Sequence, residues 1–120
     1  MFPYQTINEV YELTADELSK YLDWSTEAIK QLVHDLDWMA GRYFRFLRAG
    51  CINGYCVNKQ ADPEQANRMR DAIRSHAINL DNFLSEIETS YGLLSEFSFY
   101  FTELGEAYDL LEEFQENGLC

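Results

Sequence analysis

The chain has 120 residues and a formal net charge of −12, with 47% hydrophobic and 15% aromatic residues. This composition is too apolar for intrinsic disorder, and the length suits one folded domain, residues 1–120. Such acidity repels phosphate backbones, so no direct binding of nucleic acid is expected. No segment has the roughly 18 consecutive apolar residues of a membrane helix, and the first residues lack the features of a signal peptide. We therefore expect a cytoplasmic protein with no membrane partner.

The charges are unevenly distributed along the chain. Residues 1–41 carry eight acids and two bases, a net charge of −6, and residues 42–76 carry seven bases and three acids, a net charge of +4. Residues 77–120 carry ten acids and no Lys or Arg, a net charge of −10. An acidic segment of this kind attracts basic surfaces, including those of proteins that bind nucleic acid. Solubility alone is the alternative explanation of the acidity.

Two helices are predicted in the first half of the chain. Thr14 and Glu17 have the spacing of a capping box and begin a short helix that extends to about Leu22. Ser25 or Thr26 can cap a second helix. This helix runs to about Leu47, and its apolar residues recur every three or four positions: Ile29, Leu32, Val33, Leu36, Met39, Tyr43, Phe46 and Leu47.

A small β-hairpin is predicted near residues 51–57. Asn53-Gly54 lies between β-compatible residues, which is a strong signal for a two-residue turn. Cys51 and Cys56 would then face each other across the strands, in a geometry that permits a disulfide. A reducing cytoplasm favours two thiols instead. No zinc site is expected, because a second matching pair of cysteines is missing.

Two further helices are predicted after the hairpin. Pro63 suits the first position of a helix that ends near residues 90–92 and has a stripe of apolar residues: Ala66, Met69, Ile73, Ala77, Leu80, Leu84 and Ile87. The last helix ends at Asn117-Gly118 and has a similar stripe: Leu94, Phe97, Phe101, Leu104, Tyr108 and Leu111. The predicted fold class is therefore all-α, a helical bundle of about four helices, one short and three long, with the small hairpin between the second and the third.

Residues 15–34 resemble the helix-turn-helix motif of DNA-binding proteins. Apolar residues stand at the positions that the motif requires: Leu18, Leu22, Trp24, Ile29 and Leu32. The resemblance implies a second helix that reads DNA. This helix would expose Glu27 and Lys30 and continue into Asp35 and Asp37, whereas phosphate contacts require Lys and Arg. A plain pair of helices accounts for the same apolar pattern.

His76 lies on the apolar stripe of its helix and is predicted to be a core or boundary histidine. Arg70 and His76 together are similar to the Arg-x₄₋₆-His signature of HEPN-type helical ribonucleases, and this resemblance implies a small RNA-cleaving enzyme. A protein with a charge of −12 is poorly suited to binding RNA. No phosphate-binding loop, nucleophile turn or zinc-protease motif is present.

The far side of the last helix is predicted to be the functional surface. At about 100° per residue, five acids fall opposite the apolar stripe, and residues three or four apart are about 5–6 Å from each other. This spacing approximates that of phosphates along a nucleic-acid strand. The acids are Glu103, Glu106, Asp109, Glu113 and Glu116, and the predicted apolar anchors beside them are Phe99, Leu110 and Phe114. The alternatives are a helix that is buried over a wide arc and a homodimer seam.

These eight residues define the predicted partner-binding site of a non-enzymatic, acidic protein-binding inhibitor. The expected partner is a basic protein or complex that binds nucleic acid, blocked by nucleic-acid mimicry or by coverage of its surface. No catalytic residue, metal or cofactor is predicted. In size and charge the chain resembles the small acidic anti-defence and immunity proteins, such as phage anti-CRISPR proteins and nuclease immunity proteins. The alternative function is a helix-turn-helix-type transcriptional regulator that uses residues 15–34.

Overall fold

The computed structural model describes residues 2–49 and 63–120, and the regular structure in these two ranges is entirely helical. These ranges contain six helices, in chain order α1 (Ile7–Val10), α2 (Ala15–Ser19), α3 (Thr26–Ala49), α4 (Pro63–Glu86), α5 (Tyr91–Ala107) and α6 (Leu111–Glu116). The all-α prediction is therefore confirmed for the described ranges, with three long and three short helices. The hairpin predicted near residues 51–57, including Cys51 and Cys56, lies outside them. None of the described helices is both long and apolar enough to cross a membrane.

The short helix α1, which precedes Thr14, was not predicted from the sequence. The Thr6 hydroxyl accepts the Glu9 N–H at 3.2 Å and donates to the Glu9 carboxylate at 3.0 Å. This is the Thr-x-x-Glu spacing of a helix N-terminus, so the sequence did contain the signal. The Ile7 N–H donates to the carboxylate of Glu96 in α5, and this bond fixes α1 against the C-terminal half of the chain.

The start of α2 and the start of α3 are set by the residues predicted to cap them. Thr14 and Glu17 form a complete capping box, in which each side chain bonds to the backbone N–H of the other residue at 3.2 Å. The Ser25 hydroxyl accepts the Ala28 N–H at 3.2 Å, so α3 begins at Thr26. Both predictions are confirmed because a helix cap depends on a few neighbouring residues and on little else.

The core lies between the apolar stripes of α3 and α4 and is completed by α5. On α3, the predicted residues Ile29, Leu32, Leu36 and Met39 are buried, and on α4 the buried residues include Ile73, Ala77, Leu80 and Phe83. Phe83 was not predicted there, and its neighbour Leu84 is only partly buried. Helix α4 ends at Glu86, earlier than predicted, and the Ser90 hydroxyl caps α5 by accepting the Leu93 N–H at 3.1 Å.

The single last helix predicted from the sequence is wrong, because the chain turns between α5 and α6. Asp109 has a φ of 59°, in the left-handed region, and the Leu110 N–H donates to the Gly105 carbonyl at 2.7 Å. This bond closes a Schellman-type helix end, in which one residue leaves the helical conformation. The close approach depends on Gly105, since an added Cβ would lie 2.9 Å from the Leu111 Cα.

The turn places the apolar residues of α6 against α5. Leu110 is 3% exposed and Phe114 is 1% exposed, and the Phe114 ring lies 6.5 Å from that of Phe101. Both residues were predicted to be surface anchors beside the acidic side chains, and that placement is wrong. Gly118, with a φ of 76°, ends α6 near the predicted position, and Leu119 continues as a partly buried residue.

Candidate partner-binding surface

The exposed side of α5 carries two aromatic residues. Its opposite side is in the core, and residues three, four and seven positions apart lie on the same side of a helix. Tyr91 is 87% exposed, and Phe99, two turns further along, is 45% exposed. We call this side the α5 outward face, and it consists of Tyr91, Ser95, Phe99, Glu103 and Glu106. An aromatic ring that remains in water beside carboxylates is a suitable anchor for a protein partner.

The structure separates the predicted acidic residues into two groups. Glu103 and Glu106 follow Phe99 on α5, within two turns of it, whereas Glu113 and Glu116 lie on α6 beyond the turn at Asp109. Glu106, Asp109 and Glu116 are exposed, and Glu103 and Glu113 are partly buried. The regular spacing assumed for a single helix therefore applies only to Glu103 and Glu106. The structure brings these two together with Phe99, but not with Leu110 or Phe114.

Glu113 has a structural contact of its own. Its carboxylate accepts a hydrogen bond from the Arg74 guanidinium at 2.8 Å, and Arg74 also pairs with Asp71 at 2.7 Å. The neighbouring Arg70 donates to the Tyr108 carbonyl at 3.2 Å, just before the turn. These two arginines fasten α4 to the α5–α6 turn. Because Glu113 is already paired, it is less available to a partner than the exposed Asp109.

The segment that contains the α5 outward face is strongly acidic. The ten acids in residues 77–120 are not offset by any Lys or Arg in that segment. Arg70 and Arg74, the last two bases before it, are bonded to the α5–α6 turn and to α6. Exposed carboxylates that are not neutralised nearby steer basic proteins towards a surface and raise the rate of association.

A buried polar network lies apart from this surface, between α3, α4 and α5. His76 and Asp35 are each 5% exposed, and His76 Nδ1 lies 3.1 Å from Asp35 Oδ1. On its other side, His76 Nε2 lies 2.7 Å from the Tyr100 hydroxyl. Asn79 donates to Asp35 Oδ2 at 2.9 Å, and Gln31 donates to the same oxygen at 3.3 Å. The prediction that His76 is a core residue is confirmed.

The burial of Asp35 was not predicted from the sequence. Its position was readable, since Asp35 stands three residues after Leu32 and four before Met39, on the buried stripe. The apolar stripe of α3 contains one carboxylate, Asp35, and the apolar stripe of α4 contains one histidine, His76. Together the two stripes indicate a buried pair of Asp35 and His76. Burial acts to raise the pKa of Asp35, but the hydrogen bonds from His76, Asn79 and Gln31 outweigh that effect and hold the pKa below its usual value.

The network joins α3, α4 and α5 in the core. Both ring nitrogens of His76 are occupied by groups of the protein, and Tyr100 is fully buried. A substrate therefore has no access to the Tyr100 hydroxyl. Arg70, the partner of His76 in the ribonuclease-like pattern, is bonded to the Tyr108 carbonyl and to Asn67. Both side chains of that pattern thus have structural contacts.

The two helices of the helix-turn-helix-like segment differ greatly in length. Helix α2 has 5 residues and α3 has 24. The motif's apolar residues Leu18, Leu22, Ile29 and Leu32 are buried, as a plain helix pair also requires. Near its start, α3 exposes Glu27, Lys30 and His34, and Asp37 follows. One lysine between two acids is a weak basis for contacts with phosphate.

Within residues 2–49 and 63–120, no group of three or more His, Cys, Asp or Glu side chains is arranged to hold a metal ion. Comparisons of this chain with protein-family models, with characterised proteins and with solved structures find no match.

Proposed function

We propose that this protein is a non-enzymatic inhibitor that binds a basic, nucleic-acid-handling protein through the α5 outward face and the adjacent turn at Asp109. The observation that carries the proposal is the exposure of Phe99 beside Glu103 and Glu106, in a segment of ten acids without a base. The acids would repel the phosphate groups of a nucleic acid. Exposed aromatic rings on such an acidic surface therefore favour a protein partner. The class of function is that of the anti-defence and immunity proteins.

The aromatic and acidic residues have different roles in this mechanism. Phe99 and Tyr91 would lose water in the interface and contribute affinity, about 1–3 kcal/mol for each ring that becomes fully buried. Glu103, Glu106 and Asp109 would face Lys and Arg side chains that otherwise bind phosphate, and would raise the rate of association. Because the acids lie on two helices and a turn, the proposed inhibitor covers the partner's basic surface and does not copy a regular phosphate strand.

Affinity capture from cells that encode the protein, followed by mass spectrometry, tests this proposal. The wild type is compared with a Glu103→Lys/Glu106→Lys variant, which reverses two charges on the α5 outward face. Glu113 is left unchanged, because its reversal would also break the ion pair with Arg74. We expect basic nucleic-acid-binding proteins among the partners of the wild type, displaced by added nucleic acid and absent from the variant.

The matched control is Asp23→Lys/Glu27→Lys, which makes the same change in net charge at two exposed acids near the start of α3. This control should retain the partners. If the captured proteins are not basic, or if the variant on α5 retains them all, the proposed surface is wrong. A gel shift at low salt addresses the alternative function: sequence-dependent binding of duplex DNA would favour a regulator that uses residues 15–34.

A further inference from the structure

A groove runs along α4 beside the last residues of the chain, between α4 and α6 in one half and between α4 and α5 in the other. Two depressions, of about 440 Å³ and 360 Å³, have Asp81 and Leu119 in common. Ile78 also lines the first depression, and Leu84 and Leu94 line the second. We call this feature the α4–α5 groove. It shares no residue with the α5 outward face.

The groove has an exposed apolar residue in each half. Ile78 is 56% exposed and Leu94 is 44% exposed. The sequence predicted Leu94 to be in the core, and its exposure shows that α5 does not close over this part of α4. On α4 the groove extends from Ile78 to Leu84, about 9 Å at 1.5 Å per residue. This length exceeds one and a half helical turns, enough for one helix to present apolar residues at positions i, i+3 and i+4.

Asp81 lies between the two apolar halves of the groove and is partly buried. Within residues 2–49 and 63–120, its carboxylate has neither a hydrogen bond nor an ion pair. The neighbouring Arg74 is bonded to Glu113 and Asp71. A carboxylate that has lost part of its hydration and has no cation beside it interacts favourably with an incoming positive charge. The charge of the groove therefore complements a cationic ligand.

We propose that the α4–α5 groove binds an amphipathic helix of the basic partner. Apolar side chains of that helix occupy the two halves of the groove beside Ile78 and Leu94, and a Lys or Arg between them pairs with Asp81. The inference rests on the proposed function for the basic character of the partner. A second copy of this chain is a poorer occupant, since each copy has a net charge of −12 and the two would repel each other.

A synthetic peptide can act as the partner helix. It has about 15 residues, because shorter isolated helices are only marginally stable, with Leu at every third or fourth position and Arg on both flanks. A second peptide keeps the Arg residues and has Ser in place of each Leu. Binding is measured by fluorescence anisotropy, and the affected backbone amides are located by NMR. We expect saturable binding of the Leu peptide, with shifts concentrated on Ile78, Asp81 and Leu94.

Two variants identify the contacts. Asp81→Asn should weaken binding of the Leu peptide about tenfold, the effect of losing one charge-assisted hydrogen bond. Ile78→Ser/Leu94→Ser should weaken it at least as much. Both positions are exposed, and circular dichroism should show that the fold is retained. The matched control is Glu88→Gln, an exposed acid outside both the groove and the α5 outward face, which should bind as the wild type does.

Three outcomes would overturn the inference. The first is equal affinity of the wild type and Ile78→Ser/Leu94→Ser. The second is equal affinity for the Leu and Ser peptides, which would show that charge alone attracts them. The third is a dimer in sedimentation that Ile78→Ser/Leu94→Ser dissociates, which would assign the groove to a second copy. The Glu103→Lys/Glu106→Lys variant separates this inference from the proposed function, since it should still bind the Leu peptide through the groove.

Discussion

Asp35 is a carboxylate buried in the core, with hydrogen-bond partners on both of its oxygens. A carboxylate that is 5% exposed would be strongly destabilising without partners, and its two oxygens instead contact His76, Asn79 and Gln31. When His76 is the Nδ1–H tautomer, Nδ1 donates a hydrogen bond to Asp35. Nε2 can then accept a hydrogen bond from the Tyr100 hydroxyl. Side chains from α3, α4 and α5 are thereby held in one arrangement.

This arrangement predicts how stability depends on pH. The pKa of Asp35 is lower in the folded protein than in the unfolded chain, where a value of about 3.9 applies. Its stabilising contribution is therefore fully present above the unfolded pKa and is lost as the pH falls through the folded pKa. Asp35→Asn should lower the free energy of unfolding by about 1–3 kcal/mol at pH 7. The difference from wild type should diminish below about pH 4.

Urea unfolding at a series of pH values measures this effect. Asp37→Asn is the matched control, because Asp37 lies two residues away and is exposed. That variant should differ from wild type by no more than about 0.5 kcal/mol at pH 7. A constant difference between Asp35→Asn and wild type down to pH values well below 4 would contradict the low pKa of Asp35.

At the scale of the helices, the accuracy of the sequence predictions depends on how local the determining interactions are. The caps at Thr14 and Ser25 and the helix end at Gly118 were predicted correctly, because each is set by residues within one turn. The turn at Asp109 was missed, because an uninterrupted helical pattern passes through it. That turn becomes favourable only when α6 packs on α5.

The same distinction applies to the candidate site. Phe99 was predicted to be exposed from its position opposite the core stripe, and it is. Leu110 and Phe114 were assigned by extending the pitch of that helix past Asp109, where the helix no longer continues. The contact that buries Phe114 is with Phe101, on a different helix. A helical projection of one segment contains no information about such a contact.

The close contact between α5 and α6 predicts that replacing Gly105 by alanine lowers the free energy of unfolding, although alanine usually stabilises a helix relative to glycine. Gly105→Ala adds a residue that favours a helix by about 1 kcal/mol. However, the new Cβ would lie 2.9 Å from the Leu111 Cα and 3.1 Å from its nitrogen, and backbone atoms cannot move aside cheaply. We expect a net destabilisation of about 1–3 kcal/mol in urea unfolding.

Gly41→Ala in α3 is the control, since a Cβ there meets no atom of the described part of the chain within 4 Å. It should stabilise the protein by about 0.5–1 kcal/mol. If Gly105→Ala were as stabilising as Gly41→Ala, the close approach of α6 to α5 would be wrong, and the continuous last helix would again be the better description.

At the scale of the whole molecule, the net charge of −12 acts on folding and on binding in opposite ways. The radius of gyration is 14.4 Å. This is shorter than the Debye length of about 30 Å at 0.01 M salt and longer than the 3 Å at 1 M. At low salt the acids therefore repel one another over most of the fold, and at high salt only over short distances.

Added sodium chloride should consequently stabilise the fold, by on the order of 1 kcal/mol between about 0.01 M and 0.5 M, and should weaken the complex with a basic partner. The free energy of unfolding in urea and the partner affinity are measured over the same salt series. Their dependences on salt concentration should have opposite signs. Phe99→Ser is the control for binding, because it removes an apolar contact and should lower affinity by a similar factor at every salt concentration. Glu103→Lys/Glu106→Lys should instead flatten the salt dependence of binding. Affinity that does not change with salt would mean that the acids of the α5 outward face do not contact basic groups, even if Phe99 does contact the partner.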